Sequence, residues 1–486
     1  MPIDKIVRAF RAHGAAAPRR HVRLALLMAG ATLLGGCASF SPDGGFGPVK
    51  QTARERLGKD LRWARSDADL DGIAQRVSVL LAKPITVDDA VQVALLNNRA
   101  LQAQFQELGI TEAELVQAGR MSNPGFSFGR SSRGDEREIE RGLHVNLARL
   151  LLMPLVLRLE AMRLQDTQGS VTMSVLGLAA DTRKAYINAL AAEETVRYMR
   201  QVMQAADASA ELARLMEQVG NFNKLQRARE QRFYADAALR LAQAQQAQRS
   251  TRERLTRLLG VWGPQTAFTL PQRLPDLPPA PLDLPDIEQM ALAQRLDVQG
   301  ARLAVEQTAR SLGLTRRTRF INVLELGLSR NGSNEAPTQR GWEIGFELPL
   351  FDWGDARVAR AEGIYMQAVH RAADTAINAR SEVREAYTGY RSAYDIARHH
   401  RDEMVPLSQR IAEENLLRYN GMLIGVFELL ADARAQIATV HASIEALRDF
   451  WIAQADLDMA LIGKPSLASS TAAGPALAAE AAGAGH

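Results

Sequence analysis

Few residues in this sequence have the types and spacing that chemistry requires. His399 and His400 lie close to Asp402 and Met404, and transition metals bind imidazole, carboxylate and thioether groups. The surrounding helical segment is strongly charged, which favours a solvated surface over a metal site. We recognise no phosphate-binding loop, no nucleophile elbow and no His-Glu-x-x-His pair. We therefore predict no catalytic residues, no metal site, no cofactor and no enzymatic activity.

The only cysteine, Cys37, could carry a covalent modification. Residues 1–36 start with basic side chains, continue through an apolar run over 24–34 and end in small residues, as secretory signals do. This run is too short to span a membrane. The tetrapeptide Leu-Gly-Gly-Cys resembles the bacterial lipobox, whose cysteine is acylated after cleavage. Ala38 follows it, whereas the inner-membrane retention signal would have an aspartate there. We predict that residues 1–36 are a lipoprotein signal peptide, that Cys37 is a lipid attachment site and that the outer membrane is the destination.

The charge balance argues against a nucleic-acid partner. The whole chain has a formal net charge of +4 and a pI of about 9.3. Residues 1–36 hold six basic residues and one acidic residue, so the rest of the chain has a net charge of −1. The basic pI therefore belongs to the signal peptide, and a basic surface for nucleic acid is not expected.

Two segments between Phe320 and Phe351 alternate large apolar residues with small or acidic ones. Successive side chains of a strand point to opposite faces, so each segment would present one face to lipid and the other to water. The predicted strands cover about 321–330 and 342–350. An ordinary hairpin with one wet face would show the same alternation. The acidic residues predicted to face a barrel lumen are Glu325, Glu343 and Glu347.

A second pair of predicted strands, about 124–130 and 142–149, repeats this pattern earlier in the chain. Phe126 and its apolar neighbours alternate with glycine and serine. The segment 130–141 between these strands is highly charged, and we predict a loop in water. Its counterpart, 331–341, is also polar and is predicted to be a loop.

Long helical segments follow each strand pair. Small and apolar residues recur at spacings of three and four, which is the a/d register of packed helices. The methionines in this pattern are therefore predicted to pack between helices and not to bind metal. The stripe residues are Ala185, Ala189, Ala192, Val196, Met199, Met203, Ala206, Ala210 and Ala213, then Leu430, Ala433, Ile437, Val440, Ile444, Leu447 and Trp451. Glycine and asparagine mark the turns between helices. The turn residues are Gly220, Asn221, Gly421 and Gly425.

The order helix, strand, strand, long helix, turn, helix occurs twice, which indicates a duplication. The first repeat covers 84–260 and the second covers 287–463, with a Pro-rich linker, 261–286, between them. Residues 37–83 form a lipidated tether and an N-terminal periplasmic segment. Residues 464–486 form a low-complexity tail.

Short motifs lie at the start of each repeat and after the last predicted strand. Thr86 is a predicted N-cap, with Asp89 three residues later. The motifs occupy residues 84–90, 94–98, 291–298, 345–354 and 356–361. Together they resemble the TolC-type outer-membrane efflux family, in particular its lipoprotein branch. The sequence departs from the family pattern at residues 151–156, which lack the Asp-Trp-Gly found at 352–354, and at Leu296, where the family often has proline. We therefore expect a different joint between strand and helix in the first repeat.

The resemblance implies a homotrimer in which each protomer gives four strands to one barrel. Physics independently requires an assembly, because four strands leave open edges and single-chain membrane barrels start at about eight strands. The predicted fold class is mainly α with membrane β. Duplicated helix-strand-strand-helix-helix repeats would form, as a trimer, a 12-stranded outer-membrane β-barrel on a long periplasmic α-helical barrel.

The resemblance also suggests a gate. Glu428 falls near the position where the family often carries an acid facing the tunnel, and Asp432 lies one turn further on. A ring of three carboxylates would attract cations. The alternative is that both are exposed acids, ion-paired with Arg434 or its neighbours. The residues predicted to lie at the periplasmic tip and contact an adaptor are Gly220, Asn221, Gly421 and Gly425.

The function implied is a passive outer-membrane exit channel of a tripartite efflux system. Its partners would be a periplasmic adaptor (membrane fusion) protein and an inner-membrane pump, and acylated Cys37 would sit in outer-membrane lipid. Two alternatives stay open. One is a non-conducting periplasmic coiled-coil scaffold lipoprotein, and the other is an exit duct for type I protein secretion. The sequence predicts neither the substrate nor the class of pump.

Overall fold

The computed structural model describes residues 39–319, 324–346 and 350–464. The predictions for Cys37 and Glu347 lie outside the described residues, as do those for the signal peptide and for the low-complexity tail beyond Lys464.

Helices dominate the described part of the chain, together with four strands. The helices are α1 (Gly47–Leu57), α2 (Asp67–Leu81), α3 (Val87–Asn97), α4 (Arg99–Ala118), α5 (Leu147–Gln218), α6 (Lys224–Leu259), α7 (Ile287–Gln294), α8 (Leu296–Thr318), α9 (Asp355–His399), α10 (Val405–Asn420) and α11 (Val426–Ile462). The strands are β1 (Gly125–Arg133), β2 (Glu136–Asn146), β3 (Leu324–Ser333) and β4 (Gln339–Phe346). In the part of the chain that the structure describes, no helix combines the length and apolar character needed to cross a bilayer. The predicted mainly α fold with two strand pairs is confirmed.

The two halves begin in the same way. Thr86 forms the predicted capping box, because its Oγ1 accepts the Asp89 N–H at 3.1 Å and its own N–H donates to Asp89 Oδ2 at 3.2 Å. α3 then breaks at Asn98, whose backbone is extended, and α4 begins at the next residue. α7 and α8 are separated in the same way by Arg295, which is also extended. The repeated helix break supports the duplication.

The chain divides into two compact units. One contains Ile110–Leu164 and Gly313–Ala359, and therefore the whole sheet. The other contains Gly45–Gly109, Gln165–Leu312 and the described residues from Arg360 to Lys464, and is helical.

The core of the helical unit follows the predicted stripes. Every stripe residue of α5 is buried or half-buried, and so is every one of α11 except Ala433, which is exposed. Val93, Leu190 and Leu255 are among the residues of the largest buried cluster. Tyr186 donates its hydroxyl to the carbonyl oxygen of Ile85 at 2.9 Å within this cluster. The stripes thus mark the contacts between long helices.

The Pro-rich linker 261–286 packs on the helical unit. Leu274 and Leu277 are buried in two different apolar clusters. The indole N–H of Trp451 donates to the carbonyl oxygen of Pro275 at 3.0 Å. Because proline supplies no backbone N–H, these carbonyls are bound by side chains instead of by a strand or helix ladder.

A buried arginine fixes the start of the second repeat. Arg295 has 1% of its surface exposed. Its guanidinium binds both carboxylate oxygens of Asp297, at 3.0 and 2.7 Å, and Glu382 at 2.6 Å. It also donates to the carbonyl oxygen of Ala460 at 3.3 Å. This network ties α8 to α9 and α11, because a buried cation requires partners on several sides.

The strands differ from the prediction at the hairpin end. β1 continues to Arg133 and β2 starts at Glu136, so the segment 130–141, predicted to be a loop, is strand except for a two-residue turn. Along β2, Arg137 and Arg141 lie on one face of the strand and Glu136, Glu138 and Glu140 lie on the other. Gly134 supplies the turn with φ of +63°. The prediction for 331–341 was also too long, since β3 ends at Ser333 and β4 begins at Gln339.

The joint that follows β2 also differs from the prediction. Residues 147–149, predicted as strand, are the first turn of α5. Asn146 causes the change, because its side-chain oxygen accepts the N–H of Arg149 at 2.8 Å and so caps the helix. Pro154 lies inside α5. As expected from residues 151–156, the first repeat makes this joint without the Asp-Trp-Gly sequence.

Candidate functional site

The four strands form one antiparallel sheet in the order β1-β2-β3-β4. Its central pair joins the two halves of the chain, with Leu143 of β2 opposite Leu328 of β3. Phe126 continues the same row on β1, and Trp342 continues it on β4. An aromatic or branched apolar side chain therefore occupies one level of all four strands.

One surface of the sheet, here called the apolar face, carries large uncovered side chains. It contains this row and every second residue along each strand. Trp342 has 71% of its surface exposed. The exposed large residues of the apolar face are Phe126, Phe128, Leu143, Leu328, Trp342, Ile344 and Phe346. A soluble monomer rarely exposes so large an apolar patch, so this face needs an apolar environment.

The opposite surface, here called the polar face, is small and acidic. Its residues along the same strands include Gly125, Ser127, Gly129, Gly142, His144, Glu325, Gly327, Ser329, Gly341, Glu343 and Gly345. Two of the three predicted lumen acids, Glu325 and Glu343, lie on this face, and Glu347 is outside the described residues. Glu325 and Glu343 lie on different strands and are not opposite each other, so their carboxylates do not form a direct cross-strand pair.

The glycines of the polar face lie where side chains of neighbouring strands converge. A Cβ on Gly341 would lie 2.8 Å from Ser329 Oγ. A Cβ on Gly327 would meet His144 at 3.4 Å and Glu343 at 3.5 Å. Small residues on one face and large residues on the other allow the sheet to curl with the polar face inside. The residue sizes therefore suit the wall of a small barrel.

Residues 125–129 spell Gly-x-Ser-x-Gly, the sequence pattern of a nucleophile elbow, which we expected to be absent. Ser127 Oγ lies 3.2 Å from Nε2 of His144 on the neighbouring strand. A nucleophile elbow places its serine on a strained turn between strand and helix. Ser127 instead lies in the regular ladder of β1, opposite Gly142. We interpret the Ser127–His144 pair as a cross-strand contact of the polar face.

A single asparagine joins the two hairpins at their tips. Asn334 Oδ1 accepts the N–H of Arg137 at 2.6 Å, and its amide donates to the carbonyl oxygen of Asp135 at 2.9 Å. Its backbone N–H donates to the carbonyl oxygen of Arg137 at 3.3 Å. These bonds fix the two turns side by side. Asparagine in a predicted polar loop gave no signal for this role.

Gly354 forms the joint between the sheet and α9. Its φ is +73°, and a Cβ here would lie 2.8 Å from the carbonyl oxygen of Arg319. Its N–H is accepted by Asp352 Oδ1 at 2.8 Å. The Asp-Trp-Gly motif therefore has a physical role, because only glycine tolerates both this φ and this approach.

The predicted gate acids lie on one face of α11 but differ in their contacts. Asp432 accepts a hydrogen bond from the Asn415 amide of α10. Glu428 is exposed, and its side chain makes no hydrogen bond or ion pair within the described residues. Their suggested partner, Arg434, binds neither acid. It binds Glu230 of α6, at 2.8 and 2.9 Å. The ion-paired alternative thus fails for Arg434, and the tunnel role of the two acids stays a prediction.

Glu230 is a buried acid whose role in linking helices was not predicted from the sequence. It has 1% of its surface exposed and also accepts the Ser209 hydroxyl at 2.7 Å. The Arg434 guanidinium stacks 4.4 Å from the centre of the Phe233 ring. Glu230 has many charged neighbours in sequence, and nothing distinguishes it from a solvated helical acid.

The structure places the predicted turn residues between helices. α5 ends at Gln218, and Asn223 caps α6 by accepting the N–H of Gln226 at 2.9 Å. Gly421 follows α10, and Gly425 precedes α11. Both turns expose apolar side chains. They are Val219 and Leu225 at the first turn and Met422 and Leu423 at the second.

The histidine pair has the environment expected of a helix surface. His399 Nδ1 lies 3.2 Å from Glu403, within a π-helical turn formed by His400–Met404. Burial, and then the neighbouring His399, lower the pKa of His400. Across the described ranges, no three His, Cys, Asp or Glu residues are grouped so that they could hold a metal ion.

Comparisons with known proteins show similarity in structure. No protein-family model and no curated protein matches the chain. The CmeC outer membrane channel of Campylobacter jejuni has a TM-score of 0.67 and 18% identity, covering 77% of this chain and 85% of that chain. CusC, whose conformational changes accompany folding and transmembrane channel formation, has a TM-score of 0.65 and 18% identity, covering 78% and 92%. VceC, an outer membrane protein of Vibrio cholerae, has a TM-score of 0.65 and 15% identity, covering 77% and 95%.

These similarities extend over more than three quarters of the chain, and they include solved channels from different bacteria. Identities of 15–18% are informative about fold alone. The chain therefore has the fold of the TolC-type outer-membrane channels.

Proposed function

We propose that this protein is an outer-membrane exit channel of a tripartite efflux system. The observation that carries the proposal is the two-sided sheet, with an exposed apolar face on one side and glycine, serine and carboxylates on the other. Such a sheet suits a wall between lipid and water. Conduction through it would be passive, because an inner-membrane pump would supply the energy.

The sheet is incomplete in one protomer, and this supports a homotrimer. Within the described residues, β1 and β4 are edge strands, each paired on one side. Unpaired backbone groups are not tolerated against lipid, so a membrane form must close the sheet. Three copies would give twelve strands, a size that encloses an aqueous lumen. β1 of one protomer would then pair with β4 of the next.

The helices and their turns suit a periplasmic role. The exposed faces of α5 and α11 would pack against the helices of neighbouring protomers. The turns that follow α5 and α10 expose apolar residues, including Met422, which is 92% exposed. An apolar tip would suit docking to a periplasmic adaptor, which in turn would connect the channel to the pump. Acylated Cys37 would anchor the chain in the same membrane as the barrel.

A planar-bilayer experiment tests the proposal. The purified protein should elute as a trimer in detergent and should insert into bilayers as a channel with discrete conductance steps. A stable trimer that never conducts would contradict the proposal and favour the scaffold lipoprotein. Conduction together with co-purification of a secreted polypeptide and its transporter would favour type I secretion over small-molecule efflux.

A further inference from the structure

Charges on the sheet are sorted by face. Strand alternation and register place these arginines on the apolar face: Arg130, Arg137, Arg141, Arg330 and Arg340. They place these acids on the polar face: Glu136, Glu138, Glu140, Glu325 and Glu343. The one strand arginine on the polar face is Arg133, opposite Glu136. The apolar face thus carries arginine without any strand carboxylate among the described residues.

Three of these arginines form one continuous row. Arg141 of β2 is opposite Arg330 of β3, and Arg330 is opposite Arg340 of β4. All three are exposed, and none forms an ion pair with any described residue. Like charges directly opposite each other on neighbouring strands are destabilising. A row of three unneutralised guanidinium groups therefore calls for an external anion.

The position of the row indicates where this anion lies. The row is two residues beyond the level of Leu143, Leu328 and Trp342, towards the hairpin turns. Phe128 of β1 belongs to the same level as the arginines. Aromatic side chains mark the membrane interface in barrels, and long cationic side chains reach from there to the headgroups. All four chain ends that lead to helices leave the sheet at the opposite end.

We infer that Arg141, Arg330 and Arg340 bind the phosphate groups of a phosphorylated lipid in the outer leaflet. The inference rests on the proposed function, because the sheet must span the outer membrane with its hairpin turns outside. A guanidinium binds phosphate oxygens through paired N–H donors, which suits it better than lysine for this contact. The neighbouring apolar row would contact the acyl chains of the same lipid. Three protomers would form a girdle around the barrel.

A lipid phosphate fits this surface better than a phosphate ion from solution. The arginines share their face with Phe128 and Trp342, both exposed, and not with the small polar residues that line the other face. A phosphate ion from solution would bind the arginines but would not contact the apolar side chains. A phosphorylated lipid would bind the arginines through its phosphate groups and the apolar side chains through its acyl chains.

Lipid binding by the reconstituted trimer tests this inference. The full-length trimer is placed in phosphatidylcholine vesicles that contain either bisphosphorylated lipid A or its dephosphorylated form, and bound lipid is counted by native mass spectrometry. Arg330→Gln should weaken retention of the phosphorylated lipid about fivefold, in line with the effect of one cation at an anionic membrane surface. Arg133→Gln is the matched control, with the same residue type in the same sheet but on the polar face, and should not change retention. Arg330→Lys should retain part of the binding.

Several results would overturn the inference. They are equal retention of both lipids, equal losses in Arg330→Gln and Arg133→Gln, or full displacement of lipid by inorganic phosphate. Conductance of the same preparations separates this failure from a failure of the proposed function. A conducting trimer that ignores lipid phosphate would leave the channel intact and remove the lipid site. If Arg330→Gln fails to assemble, the retention of the two lipids is compared in the unmodified protein and in Arg330→Lys. Equal retention of both lipids by the unmodified protein would then overturn the inference.

Discussion

The guanidinium of Arg434 in α11 lies 2.8 and 2.9 Å from the two carboxylate oxygens of Glu230 in α6. Glu230 is buried and also accepts the hydroxyl of Ser209 in α5. One carboxylate therefore connects three long helices, two from the first half of the chain and one from the second. The helix that carries Glu428 and Asp432 is thus held against the first repeat.

We predict that Glu230→Gln destabilises the helical unit. The substitution leaves Arg434 without its anion, and removing one partner of a fully buried pair typically costs about 3–5 kcal/mol. We expect about 2 kcal/mol, because Arg434 stays partly exposed to water. Thermal unfolding followed by circular dichroism measures the effect. Glu211→Gln, which removes an exposed pair with Arg214, is the control and should leave the midpoint unchanged. Equal midpoints for both variants would contradict the prediction.

The joint at Gly354 gives a second prediction. Gly354→Ala must adopt a positive φ and bring a Cβ against the backbone of Arg319, so it should cost more than about 1 kcal/mol and lower trimer yield. Gly363→Ala lies nine residues further on in α9, where a Cβ meets nothing within 4 Å. There the change should stabilise the helix by about 0.5–1 kcal/mol. A comparison of melting temperatures tests both signs. Equal changes in melting temperature for Gly354→Ala and Gly363→Ala would contradict the prediction.

Neighbouring residues of β4 test the two faces of the sheet. Ile344→Arg places a charge on the apolar face and should reduce membrane assembly, since such a change costs about 2–4 kcal/mol near the bilayer midplane. Glu343→Arg introduces the same side chain on the polar face and should still assemble. The fraction of heat-resistant trimer extracted from outer membranes is the measurement. Assembly of Ile344→Arg at the level of the unmodified protein would show that this face does not meet lipid.

Glu428 and Asp432 should influence ion selectivity if they face a tunnel. Glu428→Gln removes an unpaired exposed carboxylate and should lower the preference of the channel for cations. Asp432→Asn should have the smaller effect, because Asp432 already accepts a hydrogen bond from Asn415. Reversal potentials in a salt gradient report the preference. The exposed Asp236→Asn on α6 serves as a control for general charge loss. An unchanged reversal potential in the double variant would remove the gate assignment.

Tyr186 should make stability fall at high pH. Burial, and then the charges of Asp89 and Glu193, raise the pKa of Tyr186 from 10 to about 12. The folded state thus favours the neutral phenol, so its contribution is complete below pH 10 and is lost as pH rises towards 12. Tyr186→Phe also removes the hydrogen bond to Ile85, costing about 1 kcal/mol. Melting curves at several pH values should therefore converge for the two proteins above pH 10. A constant difference would contradict the shifted pKa.

Periodic features of the fold could be predicted from the sequence because each repeats over many residues. Alternation located the strands that contain Phe126 and Trp342, and spacings of three and four located the buried stripe of α5. The Thr86 capping box is a local signal and was found for that reason. Strand boundaries are harder to predict, since the charge of segment 130–141 favours a loop although both strands extend into it.

Contacts between distant residues could not be predicted. Glu230 and Arg434 are 204 residues apart, and each resembles its solvated neighbours in sequence. The same holds for Asn334, which binds backbone groups of the other hairpin. The faces of Arg141, Arg330 and Arg340 follow from alternation, but their alignment depends on a register that only the paired strands define. A single sequence allows periodic elements and helix caps to be predicted. Strand register and pairing between distant residues depend on the folded chain and cannot be predicted from it.

The pairing of β2 with β3 determines the order in which the sheet can form during synthesis and folding. More than 170 residues separate the two strands, so β1 and β2 are synthesised well before β3. Pairing across so long a separation is slow. Until then the first hairpin has an unpaired edge and an uncovered aromatic surface, a combination that invites aggregation. If the chain is exported as proposed, we expect that a chaperone must shield this hairpin until β3 is available.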